Sequence, residues 1–305
     1  MAADFKFGLA HAPLTPFHAD GIDYGTYAKV LDFHIAHGAD MLALPMHAGE
    51  SVSLTAGERK KLLAFAIQHV AGRVPVVANV SEAGTAIASD LAAHARQAGA
   101  AALIASVPYY WTPPQSMLVE HFAAIGAAGQ LPLFVFNAPE EMNNVEFKGS
   151  SVAELIARSP QFAGLIDVSL DWQYMIEVYS TGTALRPGFQ FVSGTEYMVS
   201  AGATGATGLL SPLASLAPKL VRQLYDLCRK EDYKAAFAPQ EAAALLFRAL
   251  QEPGVPGLKA AAKQAGRDCG LLRAPLPALD EAAAQALAAA IAAVPGTQAE
   301  PRGWA

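Results

Sequence analysis

Leu131-Pro132-Leu133-Phe134-Val135-Phe136 is an apolar run of strand length, closed by Asn137 and the turn-forming Ala138-Pro139. It does not alternate between apolar and polar residues, so neither of its faces is built for water. That is the pattern of a parallel strand covered on both sides by helices. Runs of the same kind stand at 7–12, 40–44, 75–79, 101–105, 162–166, 189–192 and 206–210. Their spacing of about 30 residues leaves room for one helix each, the rhythm of repeated βα units.

The intervening segments read as helices. Tyr27, Val30, Leu31 and Ile35 fall on one helical face, as do Leu118, Phe122 and Ile125, while Asp90 and His94 fall on a solvated one. Gly38, Gly99, Gly126 and Gly129 stand where helices are expected to stop. Eight strands of this type predict a (β/α)8 TIM barrel, with the site at the C-terminal ends of the strands. An open doubly wound sheet would place a glycine-rich phosphate loop after the first strand. Pro13-Leu14-Thr15-Pro16-Phe17 is not one. Beyond residue 213 strand signals cease, and 214–230, 232–250, 258–265 and 280–293 read as helices. The expected organisation is a barrel over residues 1–227 and a C-terminal helical extension over 228–305, with a frayed tail from 297.

Composition bounds the function. At 305 residues, 53% hydrophobic and 16% charged, the chain can bury a large core. A formal charge of −6 without a basic run argues against nucleic acid as a partner, and polar residues break every apolar stretch too often to span a membrane. The first residues carry no signal-peptide pattern. Cys228 and Cys269 form neither a CxxC motif nor a disulfide framework, and are expected as small packing residues. A cytoplasmic protein is the expectation.

A series of short motifs follows the strands. Thr15-Pro16-Phe17 precedes Asp20-Gly21-Ile22-Asp23. Gly49-Glu50-Ser51-Val52-Ser53-Leu54-Thr55 leads to Glu58-Arg59. Val107-Pro108-Tyr109-Tyr110, Phe136-Asn137-Ala138-Pro139, Ser193-Gly194 and 205–211 come next, and Gly257-Leu258-Lys259 leads to Leu272-Arg273-Ala274-Pro275-Leu276. In this order the motifs resemble those of the dihydrodipicolinate synthase/N-acetylneuraminate lyase family over roughly residues 7 to 294.

The resemblance implies a lyase that forms an imine between a strand-six lysine and a keto acid, and it implies a tetramer. It also implies where the catalytic groups should stand, and there the chain departs from the pattern. The lysine position is held by Ile166, and the strand-five tyrosine by Phe136. The two threonines before Gly49-Glu50 are His47 and Ala48, and the carboxylate-binding arginine corresponds most nearly to Glu141. Tyr110 matches, at the place where the family crosses into a neighbouring subunit. The other lysines are Lys6, before the first strand, Lys148, at a helix start, and eight on predicted helices. None of these positions offers a desolvated pocket in which a lysine loses its charge.

His47 is then the foremost chemical candidate, because imidazole can serve as acid, base or ligand, against the alternative of a space-filling histidine. Tyr110 is paired with it as a catalytic candidate. The expected substrate-binding set is Ala48, Gly49, Phe136, Asn137, Glu141, Ile166, Ser193, Gly194, Glu196 and Leu210. Glu50 reads as structural, and a metal held by His47, Glu50 and Asp167 has a thin signature, so neither metal nor cofactor is expected. Strand alternation turns Asp167 toward the helices, where it could cap the helix near Leu170. Glu140 and Glu141 read as a solvated loop; if they face the site instead, they would repel dicarboxylates and favour a neutral, hydroxylated or cationic ligand. Tyr109, Tyr110 and Trp111 suggest stacking or a subunit contact. Glu196 could bind a ligand or cap a helix.

Two readings follow, and a third, an ordinary pyruvate aldolase, is nearly excluded by Ile166. One is an enzyme acting on a small oxo-acid or polyhydroxylated substrate by acid–base chemistry without a lysine imine. The other is a non-catalytic homologue that binds a small molecule or a partner subunit.

Overall fold

The structure, a computed structural model, describes residues 5–304. Eight parallel strands form in the predicted places: β1 (Leu9–His11), β2 (Met41–Leu44), β3 (Val76–Asn79), β4 (Ala102–Ser106), β5 (Leu133–Asn137), β6 (Phe162–Asp167), β7 (Gln190–Ser193) and β8 (Gly208–Ser211). Their hydrogen-bonded order is β1-β8-β7-β6-β5-β4-β3-β2, a closed (β/α)8 barrel. The turn Phe17–Ile22 makes a further small antiparallel pair that the sequence reading lacks. Helices α1 (Tyr24–Ala36), α2 (Ala56–Val70), α3 (Thr85–Ala98), α4 (Gln115–Gly129), α5 (Gly149–Arg158), α6 (Trp172–Leu185), α7 (Met198–Ala203) and α8 (Pro218–Arg229) follow the eight strands in turn. Three more, α9 (Tyr233–Gln251), α10 (Gly254–Gln264) and α11 (Glu281–Ala292), make up the extension. The chain divides into two compact units, residues 1–8 with 75–210 and residues 9–74 with 211–305.

In the first unit the strands are buried along both faces, as their continuous apolar sequence requires. Phe7 packs edge-on against Phe134 at 4.9 Å, and the side chain of Gln190 fixes the entering chain. Its amide donates to Phe5 O and accepts from Phe7 N, both at 2.7 Å. Leu118, Phe122 and Ile125 are fully buried. Gly126 and Gly129, expected as helix stops, instead lie within α4, which ends at a left-handed Gln130. Gly129 serves packing, since a Cβ there would overlap the side chain of Leu103 and crowd Ala92.

The second unit holds β1, β2, the helices around them and the extension. Local signals set its helix ends: Thr55 and Glu58 form a reciprocal capping box on α2, and Asp232 and Asp280 cap α9 and α11. The tail is not frayed. Buried Arg267 donates to Ser215 O (3.2 Å), Leu216 O (3.4 Å) and Pro301 O (2.7 Å), and Gly303 N donates to Ala265 O. The bonds to Pro301 O and from Gly303 N anchor the tail itself and offset the entropy of ordering it. Cys228 and Cys269 are buried, and burial pushes their thiols up to about 11 and about 12, which keeps them protonated and inert. Among the described residues no helix is long and apolar enough to cross a membrane.

A buried histidine pair lies between β1 and α1. The Nδ1 atoms of His11 and His34 stand 3.1 Å apart, and His34 Nε2 lies 3.4 Å from Ser215 Oγ. One ring must donate and the other accept, so the pair can hold only one proton between the two Nδ1 atoms. Burial depresses both rings, His11 to about 3 and His34 well below the usual imidazole range, with the Arg267 charge adding to the effect on His34. Their neutral forms therefore favour folding above the unfolded value near 6.5, and this stabilisation is lost as pH falls from there toward 3. Stability should decline by roughly 1.4 kcal/mol per pH unit for each such proton over that window. Thermal melts from pH 7 to pH 4 should show the decline, and His11→Phe/His34→Leu should flatten it. An unchanged slope in the double variant would contradict the assignment.

Candidate active site

In the second unit β2 ends at Leu44, and His47 opens the 3₁₀ turn His47–Gly49. His47 is exposed, while Met46 and Ala48 beside it are buried. Gly49 is buried too, its carbonyl accepting the Thr15 hydroxyl at 2.7 Å. Glu50 follows in the left-handed conformation (φ 56°), which for a non-glycine residue is held only by strong surroundings. The surroundings are an ion pair sealed from water. Lys259 Nζ lies 2.6 Å from Glu50 Oε1 and donates to Leu271 O at 2.6 Å, while Glu50 Oε2 accepts from Arg273 N. Arg273 forks onto Glu58 at 2.5 and 2.8 Å, and these hydrogen bonds hold the Glu58 carboxyl down to about 2. Lys259 and Arg273 each stand 4.6 Å from the centre of the Phe17 ring.

In the first unit Phe136, Ile166 and Val192 are register partners on β5, β6 and β7, and alternation turns them to the same face. Phe136 is half-buried and Ile166 is fully buried. Asn137 and Asp167 point the other way, toward the helices. Asn137 Nδ2 donates to Asp167 Oδ1 at 2.8 Å, and its Oδ1 accepts from Phe147 N at 3.0 Å. Ser169 donates to the second oxygen of Asp167. Burial raises the Asp167 carboxyl to about 6, against the opposite pull of the bonds from Asn137 and Ser169. Asp167 caps no helix; Asp171 caps α6 instead.

Ser193 is buried with its hydroxyl on Thr195 O, and Gly194 is required because a Cβ would overlap Val168. Glu196 and Leu210 are buried, and Tyr197, not Glu196, precedes α7 as its cap. Glu140 and Glu141 form an exposed 3₁₀ turn. Tyr110 is 93% exposed and holds φ 85°, a strained backbone for an aromatic residue. Tyr109 donates to Glu82 at 3.1 Å, and Asn79, Ser81 and Ser106 form a linked polar cluster at the ends of β3 and β4. Sequence reasoning missed Glu82 and that cluster; their polar residues directly after apolar strands were the available signal.

Of the twelve residues expected at the site, only His47, Tyr110 and Glu141 are exposed and Phe136 is half-buried. The other eight are buried, and Asn137 and Ser193 make hydrogen bonds within their own unit.

A profile of the Dihydrodipicolinate synthetase family matches residues 6–294. The chain belongs to that family. It is 32% identical over 276 residues to the 4-hydroxy-tetrahydrodipicolinate synthase of Roseobacter denitrificans, covering 90% of this chain and 93% of the relative. The enzyme of that name from Bartonella bacilliformis is 31% identical over 292 residues, covering 93% and 96% of the two chains. Among solved structures, dihydrodipicolinate synthase from Aquifex aeolicus superposes with a TM-score of 0.90 at 25% identity, covering 98% and 99% of the two chains. A family member from E. coli K12, solved in complex with pyruvate, gives 0.89 at 26% identity, covering 94% and 98%.

Within this family frame the lysines need one correction. Lys259 does occupy a desolvated position, contrary to the sequence reading, with its side chain 5% exposed. Burial lowers its pKa, opposed by the neighbouring Glu50 carboxylate. Its ammonium is committed to Glu50 and Leu271, so it is a structural cation rather than a waiting amine. Lys259→Met should strand a buried carboxylate and cost about 3–5 kcal/mol. Glu50→Gln/Lys259→Met should recover most of that loss in urea unfolding. A single-variant cost below about 1 kcal/mol, the range of exposed pairs, would contradict the buried-pair assignment.

Proposed function

We propose that this family member carries out lyase-type chemistry, making or breaking a C–C or C–O bond of a small oxo-acid or polyhydroxylated substrate, without a lysine imine. The observation that carries the reading is the wall Phe136-Ile166-Val192 on adjacent strands, which offers neither an amine nor a hydroxyl. An imine mechanism needs a neutral amine at the reacting carbon and a proton shuttle beside it. The acid–base group in this proposal is His47, exposed just beyond the C-terminal end of β2, the catalytic end of a barrel strand. The exposed Glu140 and Glu141 disfavour a dicarboxylate and suit a neutral, hydroxylated or cationic ligand. No cofactor or metal is part of the proposal: Glu50, one of the three groups considered for a metal, is taken up by Lys259 and Arg273.

Tyr110 completes the site from a neighbouring copy in this proposal. Its ring is almost wholly in water and its backbone is strained, a combination that a subunit contact would stabilise. The protein is proposed to work as a cytoplasmic homotetramer, with residues 1–227 as barrel and 228–305 as extension. One observation favours the non-catalytic reading: Met46 and Ile166 are packed as core residues.

The test begins with a screen of oxo-acids, sugar acids and lactones for turnover. On the substrate found, His47→Ala should lower kcat by about a hundredfold while the melting temperature stays within about 2 °C. His47→Asn, which keeps some hydrogen bonding but offers no acid–base group, should be nearly as damaged. Turnover that survives His47→Ala would move a differently sited mechanism ahead, and a screen that finds no turnover would favour the non-catalytic reading. Sedimentation at micromolar concentration should give an oligomer; a monodisperse monomer would remove the role given to Tyr110.

A further inference from the structure

A cavity of about 340 Å³ lies in the second unit, apart from every residue of the candidate site. Its floor is buried and apolar: Leu216 and Ala217, just after β8, with Ala261 and Ala265 at the end of α10. Ala288 and Ile291 of α11 form one wall, and the exposed rim carries Gln264, Gln298 and Arg302. The volume falls in the range of small-ligand pockets, and such pockets are apolar with a few placed polar groups.

The walls are fixed before any ligand arrives. Gln264 Nε2 donates to Ala284 O and Gln298 Nε2 to Ala292 O, each at 2.8 Å. Arg302 Nη2 holds Gln264 O at 2.7 Å, and its guanidinium is the rim's charged donor. Glu300 also lines the cavity, but its two oxygens accept from Lys219 N and Leu220 N, so its charge is turned into the start of α8. Behind the same wall Arg267 donates to Leu216 O and Pro301 O, and Lys219 Nζ donates to Ala299 O. Of the two charged residues that line the cavity, Glu300 is taken up by the α8 amides, which leaves Arg302 as the charged group at the mouth of an apolar hole. The alanines among the floor and wall residues, Ala217, Ala261, Ala265 and Ala288, leave room that a larger residue would fill.

We propose that this cavity binds a small carboxylate with an aliphatic or aromatic body, the body on the alanine floor and the carboxylate at Arg302. Octanoate is the probe, with octan-1-ol as its uncharged counterpart, in calorimetric titration of the full chain. Octanoate should bind once per chain and more tightly than octanol. Ala288→Phe, which fills the cavity, should abolish binding of both. Arg302→Gln should weaken octanoate about fivefold or more and leave octanol unchanged. Thermal melts check that each variant is folded; should Ala288→Phe melt, Ala292→Phe on the exposed edge of the same wall replaces it. Three results would overturn the proposal: no saturable binding of octanoate, binding that the filled variant leaves intact, or octanoate affinity indifferent to Arg302→Gln. A smaller species in sedimentation of Ala288→Phe would overturn it as well, by placing a second copy of the chain on this surface.

Discussion

The carboxylate of Glu50, sealed from water and 2.6 Å from the ammonium of Lys259, is the constraint on which the candidate site depends. An ion pair in such a place does not stabilise by attraction alone, because both charges have lost their hydration. Here the loss is offset by further bonds: Glu50 takes a second from Arg273 N, Lys259 gives one to Leu271 O, and two cations rest near the Phe17 ring. The network ties four parts of the sequence together: the first turn, the segment after β2, the start of α2 and the extension. Glu50 is held in a left-handed backbone by it, and His47 lies three residues upstream. The extension therefore fixes the loop on which the proposed chemistry rests.

A second constraint acts in the other unit. Asn137 and Asp167 meet behind the strands, and Phe147 N and Ser169 complete their bonding. One residue earlier on each strand, Phe136 and Ile166 turn to the opposite face. Neighbouring positions thus carry opposite duties, polar support on one side and an apolar surface on the other. Family membership alone does not give this chain its reaction.

The sequence made the strands legible because continuous apolar runs have few other uses in a chain of this composition, and all eight appeared within about two residues of their expected ends. Local chemistry was less readable wherever two elements meet. Gly126 and Gly129 look like stops in isolation, yet the second admits the side chain of Leu103 against a continuing helix. Asp167 and Asp171 compete for the α6 cap, and the nearer neighbour of the helix takes it. Lys259 looks like any helical lysine until Glu50, more than two hundred positions earlier, is brought beside it. The tail reads as frayed because its anchors are backbone carbonyls received by Arg267, which carry no sequence signature.

In the proposed reaction carbonyl substrates are not captured as lysine imines. Incubation with pyruvate and other oxo-acids followed by borohydride, read by intact-protein mass spectrometry, tests it most directly. The account predicts no added mass, because Ile166 has no amine and Lys259 is held by Glu50. A stoichiometric adduct mapped to any lysine, Lys259 above all, would contradict it.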